Sequence, residues 1–563
     1  MKKLLSVILC LTMLVSFSSV MASASDELII NVANDLHYAL ESEKANFPTI
    51  DENNPYVHVS SSGQLYYESK AVISAFLDSA AKDESTVVLL PGDLTDDGTK
   101  AEHQNLTAIL KAFEASTGKK IFVVPGNHDV MKTTSAEFMA YYADFGYSEA
   151  IAKDTLSASY VAELSDEYRL LAIDSTVPAE GKCGIDSARA QWIRQQAEKA
   201  KAEGKKMIAM LHHNLLNHFI FIDIINSGSV VDKTLGLCDI FAENGVKYTF
   251  TGHTHEHDIA SYNGENGEVI YDAVTSSLSS YPCQYRKVTF SDSVKIETKR
   301  VEKVDTALVP RNMSAEAFEL MSADFVEYSK KCVFLGVEKN INNSFLTPAR
   351  LKALLKINAS TEPELCALFD KVTPKLKDAM NMPLYTKDEI QAGMSIESII
   401  KPYGVNLPES KYQDVMEVAL TVYESHVAGD ENFRAYSNEV VLASKGIGGM
   451  LMYALSDVTA EEYAMALGFV CKLLDVDLSA DLLILAGDQI KRFEGIELVV
   501  STAILPLILK VTVDDAPADC DVTLPGYAQL IEPDEAEKTF WDKVQEFFIK
   551  IFSFFMSLFA FTF

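Results

Sequence analysis

Five short clusters of oxygen- and nitrogen-donating side chains punctuate the first half of the chain. They are Asp35-Leu36-His37, Gly92-Asp93-Leu94-Thr95-Asp96-Asp97-Gly98, Gly126-Asn127-His128-Asp129, His212-His213 and Gly252-His253-Thr254-His255. Asp, Asn and His are the donors that suit hard-to-borderline divalent metals. The candidate metal ligands are Asp35, His37, Asp93, Asn127, His212, His253 and His255. Asp35 and His37 are two residues apart, as are His253 and His255, so on an extended segment each pair faces one side. Asp93 carries two carboxylate oxygens and can bridge two cations. Gly126 lets the backbone come close beside the neutral carbonyl oxygen of Asn127. A centre of two metals predicts hydrolysis of a phosphate ester by a metal-activated water.

The elements that must position these residues are legible as repeated units. Glu27–Ala33, Thr86–Leu90, Ile121–Val124, Met207–Leu211 and Tyr248–Phe250 are short β-rich runs, each leading into one of the clusters. Helical patterns lie between them at Glu68–Ala81, Glu102–Thr117 and Ser187–Glu203, and strand-rich pieces return at Val269–Ser276 and Arg286–Arg300. Strands alternating with helices predict an α/β sheet core, and polar clusters at strand C-terminal ends are where such sheets place their sites.

After about Lys303 the texture changes. Ser314–Val333, Pro348–Ile357, Pro363–Met380, Lys411–Val427 and Thr459–Leu474 have apolar residues at helical spacing. Ser314 is a plausible helix start, and Thr459 with Glu462 has capping-box spacing. The expected division is a signal peptide over 1–24, an α/β domain over 25–305, a mainly helical domain over 306–530 and an apolar segment over 531–563.

A length of 563 residues is too great for one core. The formal charge of -31 disfavours nucleic acid as a partner and repels anionic lipid. Lys2 and Lys3, the apolar run from Leu4 to about Val20, and Ala22-Ser23-Ala24 have the order of a secretory signal, which predicts an exported bacterial protein, secreted or held at the cell surface. The cysteines are scattered and form no CxxC pair, so they are not a disulfide framework. The Phe-rich run Trp541–Phe563 is too short after Lys550 to span a bilayer. It could lie in a membrane interface, dock on the protein or pair with another chain.

The ordered blocks D-x-H, G-D-x-x-D-x-G, G-N-H-D, H and G-H-x-H resemble the calcineurin-like metallophosphoesterase superfamily over roughly residues 27–300. The Leu-Thr after Asp93 and the His pair resemble its cyclic-nucleotide phosphodiesterase-like branch. Asn214-Leu215 stands where that branch carries Pro-Pro. The resemblance implies a metallophosphoesterase β-sandwich flanked by helices (αββα) and two divalent ions, Mn, Fe or Zn. One metal would take Asp35, His37 and His255, the other Asn127, His212 and His253, with Asp93 and a shared water or hydroxide between them. His128 would be the general acid for the leaving alkoxide, and Asp96 the partner orienting it. His213 is the open half of the His pair, a ligand in place of His212 or a group behind it. His103, His218 and His257 are expected as rim or helix-face residues, and Tyr66 and Tyr67 as core or pocket wall. The implied activity is hydrolysis of phosphodiesters, in a small molecule or an envelope polymer. The alternatives are a phosphomonoesterase or nucleotidase, and a catalytically silent binding protein on the same fold.

Overall fold

The computed structural model describes residues 27–43, 50–177, 182–218, 228–310, 313–354, 357–386, 395–429, 433, 437–462, 464–465 and 517–527. The expected signal segment, most of Thr459–Leu474 and the Phe-rich C-terminal run lie outside the described residues. In chain order the strands are β1 (Leu28–Val32), β2 (Val87–Leu90), β3 (Lys120–Val123), β4 (Ala152–Lys153), β5 (Tyr160–Glu163), β6 (Tyr168–Ile173), β7 (Lys206–Leu211), β8 (Tyr248–Thr251), β9 (Asp258–Asn263), β10 (Val269–Val274), β11 (Gln284–Phe290), β12 (Ser293–Arg300) and β13 (Val522–Pro525). They form two sheets, ordered β13-β12-β11-β1-β2-β3 and β4-β5-β6-β7-β8-β10-β9. β1, β2 and β3 run parallel, as do β6, β7, β8 and β10.

Pleating explains why the central strands read as unbroken apolar runs. Ile208 and Met210 of β7 join the core between the sheets, while Met207, Ala209 and Leu211 face the helices Ser187–Ala202 and Leu237–Asn244. The helices Ser69–Ala80 and Lys100–Thr117 pack against the other sheet. The result is the expected sandwich of two sheets flanked by helices. The Lys100–Thr117 helix starts in a capping box of Thr99 with Glu102.

The helical second region is present, but packing does not divide at 305. Met313, Ala317, Met321, Phe325, Tyr328 and Cys332 belong to the sheet core, and Val333 and Val337 on the same run belong to a separate, mainly helical core that also takes in Val230 and Tyr281. The helix Phe325–Asn340 therefore serves both. The run Ser314–Val333 breaks into two helices at Asp324, an extended residue whose side chain caps the second. The chain also returns to the first sheet: β13 pairs antiparallel with β12. Among the described residues, no cysteine forms a disulfide and no helix is long and apolar enough to cross a membrane.

Candidate metal centre

Parallel strands bring their C-terminal ends to one edge, and the clusters sit there. Asp35 follows β1, Asp93 follows β2, Asn127 follows β3, His212 follows β7 and His253 follows β8. Backbone bonds lock neighbouring loops together: His37 N donates to Asp93 O at 3.0 Å, and Gly252 N to His212 O at 3.0 Å. The two sheets are tied across the site by Asp35, whose carboxylate accepts from His253 N at 3.1 Å.

The seven side chains converge in two groups that share one carboxylate. In the first, His37 Nε2 lies 3.2 Å from His255 Nε2, and His255 Nε2 lies 3.4 Å from Asp35 Oδ1. In the second, His212 Nε2 lies 3.0 Å from Asn127 Oδ1 and 3.2 Å from His253 Nδ1. Asp93 Oδ2 is 3.2 Å from His212 Nε2 and 3.9 Å from His37 Nε2, so the same oxygen faces both groups. Asp93 Oδ1 accepts from His128 N at 2.8 Å.

The backbone is bent to achieve this. Asp35, His37, Asp93, His253 and His255 all have positive φ, between 39° and 70°; Cys283 is the other non-glycine residue in that region among those described. Such conformations cost about 1–3 kcal/mol each and persist only where the surroundings over-determine them. Gly126 shows how tight those surroundings are, because a Cβ there would sit 2.1 Å from Asp93 Oδ1. Gly126→Ala is therefore expected to displace the Asp93 carboxylate and weaken metal binding at least about tenfold. Metal content after gel filtration checks this, and unchanged stoichiometry and affinity would disprove the close fit.

The charges are equally constrained. Burial opposes ionisation of Asp93, but His212, His128 and His37 outweigh it and hold the carboxyl well below its usual range. Burial likewise opposes charge on His212, yet Asp93 and Asp35 push its pKa up to about 9. Burial, reinforced by His212, holds His253 well down, and burial holds His255 down. Neutral imidazole is the ligand form.

The donor set fits divalent cations. Buried carboxylates require a compensating positive charge, and Asp35 and Asp93 pair with histidines whose ring nitrogens crowd the same points. Asp35, His37 and His255 form one group able to hold an ion, and Asp93, His212 and His253 another. His37, Asp93 and His128 form a third, overlapping group.

Residues 29–257 match the calcineurin-like phosphoesterase family. The matched stretch contains all five donor clusters. That family is metal-dependent, and proteins similar to this chain include ones named as probable phosphodiesterases. A "Probable glycerophosphodiester phosphodiesterase" of Arcobacter nitrofigilis is 24% identical over 163 residues, covering 28% of this chain and 54% of its own length. A "Probable cyclic nucleotide phosphodiesterase" of Rhodococcus erythropolis is 24% identical over 213 residues, covering 37% of this chain and 65% of its own. This chain thus spans roughly half to two thirds of these relatives. A solved dimetal phosphatase from Danio rerio aligns with TM-score 0.36 and 10% identity, over 49% of this chain and 98% of the other.

Around this centre, the groups behind the candidate ligands differ in part from expectation. The carboxylate of Asp96 lies nearer His37 than His128: Oδ1 is 3.2 Å from His37 Nδ1 and 4.0 Å from His128 Nδ1. What holds His128 is the Asp96 backbone carbonyl, which accepts from Nδ1 at 2.6 Å. Asp96 therefore orients His128 through its main chain and faces His37 with its side chain. His213 turns away from the centre, with Nδ1 against Ser175 Oγ at 2.9 Å. His103, His218 and His257 are not rim residues. His103 bonds Tyr142 and the Asp129 carbonyl inside the fold, and His257 bonds Thr298. His218 bridges Asp258 and Asp272; burial opposes its charge, but those acids push its pKa up to about 10. Tyr66 bonds Gln64 and Ser62.

Three positioning residues were not identified from sequence. Asp129 takes four hydrogen bonds, from Leu94 N, Thr95 N, Thr95 Oγ1 and Gly126 N, and so staples the turns after β2 and β3. Asp272 on β10 accepts from Leu215 N and Leu216 N at 2.8 Å, fixing the loop after His212. Ser229 lies 3.0 Å from His253 Nε2, which leaves Nδ1 as the nitrogen facing the centre. Asp129 belongs to the G-N-H-D block and could have been singled out there; nothing local marks Asp272 or Ser229.

Proposed function

We propose that the chain is an exported phosphodiesterase whose metal pair is held by Asp35, His37 and His255 on one side and Asn127, His212 and His253 on the other, with Asp93 common to both. The observation that carries this reading is the shared Asp93 oxygen, buried between two groups of oxygen and nitrogen donors. Divalent ions held there supply Lewis acidity toward phosphoryl oxygens and lower the pKa of water.

The rest falls to the protein's own residues. His128 is the candidate acid for the leaving alkoxide. Its Nδ1 is committed to the Asp96 carbonyl, so Nε2 is the nitrogen that can hand over a proton. Burial disfavours the protonated ring, but Asp93 and Asp96 outweigh this and hold its pKa above the ordinary histidine value. The His128 side chain is 32% exposed, against 0% for His212, which fits a group that meets substrate rather than one sealed behind it. Asp96 and Asp129 keep the His37 and His128 turns from moving. Export rests on the order of charge, apolar run and small residues in Met1–Ala24. The diester preference rests on the branch resemblance and on the names of the relatives, a probable glycerophosphodiester phosphodiesterase and a probable cyclic nucleotide phosphodiesterase.

The deciding assay is hydrolysis of bis(p-nitrophenyl) phosphate against p-nitrophenyl phosphate by Mn²⁺-loaded protein. The expected result is faster diester turnover. Preference for the monoester would replace the reading with a phosphatase or nucleotidase. No turnover of either, with metal bound, would favour a silent binding protein.

A further inference from the structure

The helix Val415–Ala428 of the second region reaches loops that hold metal ligands. His426 lies 3.1 Å from the carboxylate of Glu256, a buried residue next to His255. Two residues earlier on the same helix, Glu424 accepts from Tyr281 OH at 3.0 Å. Tyr281 ends a serine-rich loop whose Ser277 Oγ donates to the Asp35 carbonyl at 2.8 Å and whose Ser279 Oγ donates to that of Leu36. The end of the helix is seated against the same part of the sandwich. The last carbonyls, which a helix cannot satisfy internally, accept from Gln284 Nε2 and Cys520 Sγ at 3.3 Å. Gly429, with φ of 71°, stands so close that a Cβ would meet the His257 carbonyl at 2.6 Å.

A second contact runs through Ser229 and Val230. Ser229 holds His253 Nε2, while its neighbour Val230 is buried in the helical core. Loops carrying Asp35, His253 and His255 are thus gripped from behind by one helical layer. Those three residues also have left-handed backbone, a conformation that needs such over-determination.

We propose that the helix Val415–Ala428 is a positioning element of the metal centre, acting through His426–Glu256 and Glu424–Tyr281, so that cation binding and docking of the helical layer are coupled. The proposal rests on the metal-centre reading above. Coupling of this kind is reciprocal: loosening the helix weakens cation binding, and bound cation protects the helix.

The test uses the full chain and Mn²⁺ alone, with affinity measured by equilibrium dialysis and helix docking by amide hydrogen exchange over residues 415–428. His426→Ala is expected to weaken Mn²⁺ binding about tenfold or more. His426→Gln, whose amide can still donate to Glu256, should recover most of that loss. Mn²⁺ should slow exchange in this helix in the wild type, and His426→Ala should abolish the difference. If His426→Ala does not fold, Tyr281→Phe, which removes one hydroxyl, carries the same test with a smaller loss of affinity. Unchanged Mn²⁺ affinity in a folded variant, or helix exchange indifferent to Mn²⁺, would overturn the coupling alone. Failure of the wild type to bind Mn²⁺ would overturn the metal-centre reading with it.

Discussion

Asp93→Ala is expected to reduce turnover to background and to lower bound metal. One oxygen of this carboxylate faces both donor groups, at 3.2 Å from His212 and 3.9 Å from His37. The other accepts from the backbone of His128. On the proposed reading, the substitution removes the shared ligand and the anchor of the general acid together. It also strands His212, whose pKa of about 9 depends on Asp93; breaking a buried pair by removing one partner typically costs about 3–5 kcal/mol. Loss of a direct ligand should exceed the 10–100-fold affinity cost usual for groups behind one, so more than about 100-fold is expected. Metal content after gel filtration and diester turnover measure the two effects, with circular dichroism to establish folding. Full activity, or undiminished metal, would remove Asp93 from the bridging position.

His128→Ala should separate chemistry from metal binding. The ring is held at Nδ1 by the Asp96 carbonyl and keeps Nε2 for another partner. General acid catalysis is worth ~10²–10⁴-fold, so kcat toward a diester with an alkyl leaving group should fall by about that factor. The loss should shrink for p-nitrophenolate, which leaves without a proton. Metal stoichiometry should remain that of the wild type. The contrary result has a structural basis, since His128 also lies within a group with His37 and Asp93 that could hold an ion. If metal is lost along with activity, and equally for both leaving groups, His128 is a ligand and not the acid.

Histidines show best where sequence reading stops. His103, His218 and His257 sit near the motifs, as the candidate ligands His37, His212, His253 and His255 do, and belong to the same residue type. The fold places each inside the protein on a partner far away in sequence, Tyr142, Asp272 and Thr298 respectively. Spacing identifies which histidines share a turn, but not what faces that turn across the sandwich. Asp96 makes the same point at shorter range. Its membership of the G-D-x-x-D-x-G turn was plain, while its nearer ring, His37, is contributed by a different strand.

What the chain determined by itself was the repeated unit of buried strand, turn and ligand. The apolar runs at β1, β2, β3, β7 and β8 end within a residue or two of their expected limits, because a run buried on both faces and a glycine or polar turn after it are local properties. The helices were legible for the same reason, from Ser187–Ala202 to Pro363–Met380. Only the tertiary structure decided that five of the candidate ligands would adopt left-handed backbone, that β13 would return across more than two hundred residues to pair with β12, and that a helix of the second region would press on Glu256. These depend on contacts between distant segments, whose cost in chain entropy is met only by the packing of the whole, and no local pattern encodes which segment will supply the partner.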